Sequence, residues 1–196
     1  MRKEPIRIQL PASKEQFRSL RAGDEVLLTG TLVTSRDMGH KLMVERHPEF
    51  LKPLLKGTAI YHCGPIVMEK EDGWKIISAG PTTSSREEPF QADVIAHYGI
   101  GGVIGKGGMG EKTSKAMVEH GAVYFHATGG AGALLAKRII KVKDVHMLEE
   151  FGVPEAFWVL EVEDFPAVVT MDSIGGSLHR QILADSAARR QELLDL

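Results

Sequence analysis

The amino-acid sequence predicts a mixed α/β fold. Two observations carry this: β-rich runs alternate with helix-spaced runs along the chain, and the turn Glu71-Asp72-Gly73 joins two short strands as a hairpin. A third bounds the architecture. No repeat, low-complexity tract or linker divides the 196 residues, of which 43% are apolar, so residues 1–196 read as a single domain with one core.

The elements follow in order. Ile6 to Leu10 alternates between prolines as a strand, and Ser13 opens a helix to about Leu20 with Gln16 at the capping-box position. After the turn Ala22-Gly23-Asp24, Glu25 to Val33 is a long strand rich in Val, Leu and Thr, which delivers Thr34-Ser35-Arg36-Asp37 to a strand-to-helix junction. Met38 to His47 has helical spacing, Pro48 breaks it, and a second short helix runs to Leu55. Thr58 to Tyr61, Ile66 to Glu69 and Trp74 to Ser78 are strands. Ala79 to Pro89 then loses all periodicity in Gly-Pro-Thr-Thr-Ser-Ser-Arg, a polar loop and a first candidate for chemistry. Beyond it come a helix over Gln91 to Tyr98, a strand over Gly102 to Ile104, a helix over Glu111 to His120 and a strand over Ala122 to His126. A small-residue helix within Gly129 to Ala136, strands Phe157 to Val162 and Ala167 to Met171, and a terminal helix Leu178 to Leu194 complete the pattern.

Composition narrows the function. A formal net charge of −2 provides no global positive field for nucleic acid or anionic lipid. The most apolar stretch, Gly121 to Ala136, is Gly-rich, is interrupted by His126 and falls short of the roughly 20 residues of a spanning helix. The segment beginning Met-Arg-Lys-Glu-Pro shows no secretory h-region, so the expected location is cytoplasmic. Cys63 is the only cysteine, which excludes an internal disulfide and a cluster ligated by three or four thiolates of this chain, and it reads as a buried small hydrophobe. His47, His62, His97, His120, His126, His146 and His179 form no H-x-x-x-H pair, so no metal is expected here.

Gly105-Lys106-Gly107-Gly108-Met109-Gly110 matches G-x-G-x-x-G between a strand and a helix. The acidic ribose ligand expected about 20 residues later is missing, since Thr128 and Gly129 stand there, which disfavours a dinucleotide. A P-loop is excluded because Gly107 follows Lys106 where Ser or Thr is required. Two readings stay open: an anion site made of backbone N–H groups, a helix N-terminus and Lys106, or a glycine turn needed for packing.

Four segments in order, Thr34-Ser35-Arg36-Asp37 with His40-Lys41, Gly80 to Arg86, Ile104 to Met109, and Gly121-Ala122-Val123-Tyr124, resemble the β region of class I iron-sulfur fumarases and L-tartrate dehydratases. Trp158 to Pro166 extends the resemblance, which covers Gly23 to about Ser173. Two features depart from it: Ser84-Ser85, where a glycine is usual before the arginine, and His62-Cys63. The resemblance implies a swivelling β/β/α domain, a mixed sheet with flanking helices. It further implies a 4Fe–4S cluster on a partner α subunit, hence a hetero-oligomer, and a C4 dicarboxylate bound between the chains. By the same motifs Arg36, Arg86 and Lys106 become carboxylate ligands, and Thr82 is implied at the reacting carbons or in proton handling. Asp37, with His40 in the same junction, would orient Arg36 or relay a proton. Planar guanidinium forks suit carboxylates, whereas an alcohol is a weak base without strong cationic help.

Overall fold

The computed structural model describes residues 4–71 and 73–194; Asp72 of the expected turn and the first three residues lie outside them. Strand β1 (Ile6–Leu10) leads to α1 (Lys14–Ser19), where Ser13 and Gln16 form the expected capping box. Next come β2 (Glu25–Thr34), α2 (Asp37–Arg46), α3 (Lys52–Leu55), β3 (Ala59–Tyr61) and the hairpin β4 (Ile66–Lys70) and β5 (Gly73–Ser78). The polar loop turns through a 3-10 segment, Ser84–Glu87, into α4 (Glu88–Tyr98). Then follow β6 (Gly102–Gly105), α5 (Glu111–His120), β7 (Val123–His126), α6 (Gly132–Ala136), β8 (Ile139–His146), α7 (Leu148–Phe151), β9 (Phe157–Met171) and α8 (Leu178–Leu194).

The sheet is mixed, as expected. Strands β1, β2, β3, β6 and β7 pair in parallel, while β9 runs antiparallel to β7, β8 and β2. Because β9 bonds β2 at one side and β7 at the other, β2, β3, β6, β7 and β9 close into a ring, with β1 and β8 attached. Consecutive residues of these strands serve different cores. Leu32, Tyr61, Ile104, Phe125 and Trp158 join one buried cluster, while Val33, Ile60, Val103, Tyr124 and Phe157 join the other, beneath α2, α4 and α5. Burial on both faces explains the continuous apolar runs. Each large side chain so enclosed contributes roughly 1.5–3 kcal/mol. Gly101 admits the ring of Phe17 where a Cβ would stand, which seats α1 against the start of β6.

Two expectations are corrected. The segment Ile139–His146, where the sequence pattern predicts no element, is a strand paired with β9. The two strands expected between Phe157 and Met171 are one: Leu28 pairs Phe165 and Gly30 pairs Val162, so β9 carries an extra residue opposite β2. This bulge holds Asp164 at φ 49°, and its N–H donates to Thr29 Oγ1 at 3.1 Å. The bulge interrupts the alternation that a strand reading depends on.

Candidate active site

Four parallel strands end on one rim, so the segments following β2, β3, β6 and β7 meet there, as ligand-binding loops do outside the carboxyl ends of parallel strands. The polar loop joins them as backbone. Thr82 N–H donates to the His62 carbonyl (2.7 Å), Lys106 N–H to the Thr82 carbonyl (3.3 Å) and Ser84 N–H to the Lys106 carbonyl (3.0 Å). Gly105 is required at this crossing, because a Cβ there would meet the hydroxyls of Ser84 and Tyr124.

Side chains tie the same segments together. Arg86 grips both carboxylate oxygens of Asp37 with Nε and Nη2, Nε donating at 3.0 Å to Oδ1, and this half-exposed pair bridges the loop to the start of α2. Arg36 is more enclosed. Its Nε lies 3.4 Å from Glu155 Oε1, and Gly64 leaves room for its guanidinium, since a Cβ would approach Nη1 to 2.7 Å. Lys106 Nζ donates to Thr83 Oγ1 at 3.1 Å, and the Thr82 hydroxyl donates to the His62 carbonyl at 3.1 Å. The rim thus gathers Arg36, Asp37, Thr82, Arg86 and Lys106.

Behind it lie groups that sequence reasoning did not place. Burial lowers His40 to about 4 and His62 well below its ordinary value, so both rings are neutral near pH 7. Glu87 is enclosed beside His40, at 3.5 Å, and burial, opposed by the Arg86 cation, pushes its carboxyl up to about 7. Gln91 lies between the two imidazoles. The sequence singles out His40 and His62; Glu87 lies at the end of the polar loop without a motif of its own, and Gln91 sits in an unremarkable helical stretch.

The Gly-rich loop behaves differently from the anion-site reading. The N-terminus of α5 is already met by an internal carboxylate: Glu88 accepts from Gly110 N–H (2.7 Å), Thr113 N–H (3.2 Å) and Thr113 Oγ1 (2.7 Å). A helix end satisfied in this way does not offer those donors to a pyrophosphate. Gly107 and Gly108 nevertheless take φ of 85° and 77°, so the turn requires glycine.

Cys63 is buried and its thiol is pushed up to about 12 by that burial, so it does not fit a cluster ligand. Among the described residues no group of three or more His, Cys, Asp or Glu is arranged to hold a metal ion, and no helix is long and apolar enough to cross a membrane. A hollow of about 570 Å³ lies away from the rim between Trp74, Lys75, Lys137 and Ile140. It lacks the converging hydroxyl and guanidinium groups of the rim.

Residues 1–182 match the family described as Fumarase C-terminus. The chain belongs to that family. It is 50% identical to a Geobacillus stearothermophilus protein provisionally named fumarate hydratase class I, over 90% of this chain but 34% of that protein. This Fumarase C-terminus member therefore spans about a third of that relative. It is also 38% identical to a Methanocaldococcus jannaschii protein provisionally named L(+)-tartrate dehydratase subunit beta, covering 94% of this chain and 96% of the relative. With the Escherichia coli L(+)-tartrate dehydratase subunit beta it shares 36% identity over 94% of this chain and 92% of that subunit.

Proposed function

We propose that this chain is the β subunit of a hydro-lyase that reversibly hydrates fumarate to malate, a single cytoplasmic domain over residues 1–196 that acts with a cluster-bearing α subunit. The observation that carries the reading is the gathering of two arginines, a lysine and a threonine from three separate segments on one rim, in a chain that nearly matches subunit-type relatives in length.

In this scheme Arg36, Arg86 and Lys106 neutralise and orient the two carboxylates of a C4 dicarboxylate. When a proton leaves the carbon beside a carboxylate, charge builds on that carboxylate, and cations already fixed there stabilise the transition state more than the ground state. Asp37 holds the Arg86 fork in orientation, and a substrate carboxylate competes for the same face. Thr82 lies on the loop segment bonded to Lys106, and in this scheme it contacts the reacting carbons or handles the proton. The hydroxyl end is left to the partner, where the family resemblance places the 4Fe–4S cluster, since Cys63 cannot hold it.

A second reading, an L-tartrate dehydratase β subunit, is favoured by the names of two relatives that match this chain over more than nine-tenths of both lengths. The substrates differ by one hydroxyl. A non-enzymatic anion or dinucleotide module is disfavoured by the Glu88 cap on α5. The test is an anaerobic assay of the chain alone and of the chain with a co-expressed cluster-bearing partner, following fumarate absorbance and oxaloacetate formation. Fumarate hydration only in the mixture supports the leading reading, and oxaloacetate from tartrate moves the substrate. No turnover of either with an intact cluster refutes both.

A further inference from the structure

A row of polar side chains runs behind the rim, fully enclosed between the sheet and α4, and its proton order can be worked out from its ends. The carbonyl of Arg36 can only accept, and His40 Nδ1 lies 2.9 Å from it, so Nδ1 carries the hydrogen. The ring is neutral, which leaves Nε2 as an acceptor facing the carboxamide of Gln91 at 3.0 Å. That same end of Gln91 lies 2.8 Å from His62 Nε2. With its oxygen towards the rings, Gln91 would bury an NH2 without any acceptor. Turned by half a revolution, the NH2 supplies one hydrogen to each imidazole while the carbonyl oxygen takes the partnerless position, so the acceptor at His40 Nε2 decides the orientation. His62 Nδ1–H then donates to Ser84 Oγ at 2.8 Å. Ser84 Oγ and the Tyr124 hydroxyl share a hydrogen bond of 2.8 Å, and the backbone of Gly108 lies beside the Tyr124 hydroxyl.

The ends of this row coincide with the site. One end is the carbonyl of Arg36 itself, the middle is Ser84 inside the Thr82–Arg86 loop, and the far end is Gly108 beside Lys106. A core of this size has no need of five buried polar side chains, each of which costs free energy unless paired. We propose that His40, Gln91, His62, Ser84 and Tyr124 are positioning residues, a buried hydrogen-bonded rail that holds the three rim segments in one register. Neither Ser84 nor Tyr124 touches the substrate in this scheme; each acts through the loops it fastens. The role in turnover rests on the hydro-lyase reading, whereas the fastening does not.

The test uses Ser84→Ala, Tyr124→Phe and the double variant, which remove one shared bond with little change of shape. In the full chain alone, amide hydrogen exchange at Thr82–Arg86 and Gly107–Gly108 should quicken by about tenfold in each. Gly101→Ala, which disturbs packing at Phe17, should leave those segments unchanged relative to its neighbours. In the reconstituted complex each single variant should raise KM for the dicarboxylate and lower kcat/KM about tenfold, and the double should fall no further, as expected for one shared interaction. Unchanged exchange at both segments overturns the proposal, as does a double variant whose loss is the product of the singles. Quickened exchange in a complex whose wild type turns over neither fumarate nor tartrate upholds the rail and refutes the reaction.

Discussion

Glu87→Gln isolates one buried carboxyl. Glu87 is almost wholly enclosed, with Oε2 unpaired, and faces His40, Arg86, Arg36 and Glu155. Burial raises it from an ordinary 4.5 to about 7, so between these values the folded chain keeps a proton that the unfolded chain has released. The sign follows directly. Stability from this group is fully present below 4.5 and is lost as pH rises through about 7. At 1.36 kcal/mol per pH unit the loss is at most about 3 kcal/mol. His40, lowered to about 4, works in the opposite sense, because its folded ring stays neutral where the unfolded ring is charged. His62, also lowered by burial, adds to the His40 slope, so absolute stability mixes opposing contributions and the effect of Glu87 appears only as a difference. Urea unfolding of wild type and Glu87→Gln from pH 4 to pH 8 should show the variant gaining on wild type by about 2–3 kcal/mol across that range, with constant offsets beyond it. A difference that stays flat from pH 4.5 to 7, or one that favours wild type as pH rises, would refute the account.

Three further outcomes are expected. Arg36→Ala should fold but lose about 10²-fold or more in turnover in the reconstituted complex, measured by fumarate absorbance, because it removes a fixed cation from the developing charge. Glu88→Ala strips three donors on Gly110 and Thr113 of their acceptor and should cost about 1–2 kcal/mol in urea unfolding; unchanged stability would show that water replaces the carboxylate. Gly101→Ala places a methyl in the ring of Phe17 and should cost about 1–3 kcal/mol, read in the same experiment.

Local chemistry made much of the fold legible. The capping box at Ser13, the break at Pro48 and the hairpin around Gly73 depend on residues close in sequence, and each appears where that chemistry places it. The strands β6 and β7 were legible as apolar runs because both their faces are covered. What escaped depends on distant partners. β8 mixes four apolar and four polar residues without strict alternation, since its side chains are at best partly buried and its pairing is supplied by β9. The bulge at Asp164 split one strand into two. The candidate site was legible in its motif-bearing members, Arg36, Thr82, Arg86 and Lys106, whose segments do meet. Glu88 as the cap of α5 lies more than a full helix away in sequence, and Gln91 is distinguished only by the two imidazoles that fold around it.

The pairing of β2 with β9 also sets a timetable. Val26 bonds opposite Ala167 and Val33 opposite Val159, so the ring cannot shut until nearly nine-tenths of the chain has left the ribosome. Before then β2 has β1 and β3 along one flank and nothing along the other, a long apolar ribbon with its amide and carbonyl groups unspoken for. Contacts of such separation form slowly, and open ribbons of this kind recruit other chains. A truncation before Phe157 should therefore yield aggregate rather than a shorter folded form.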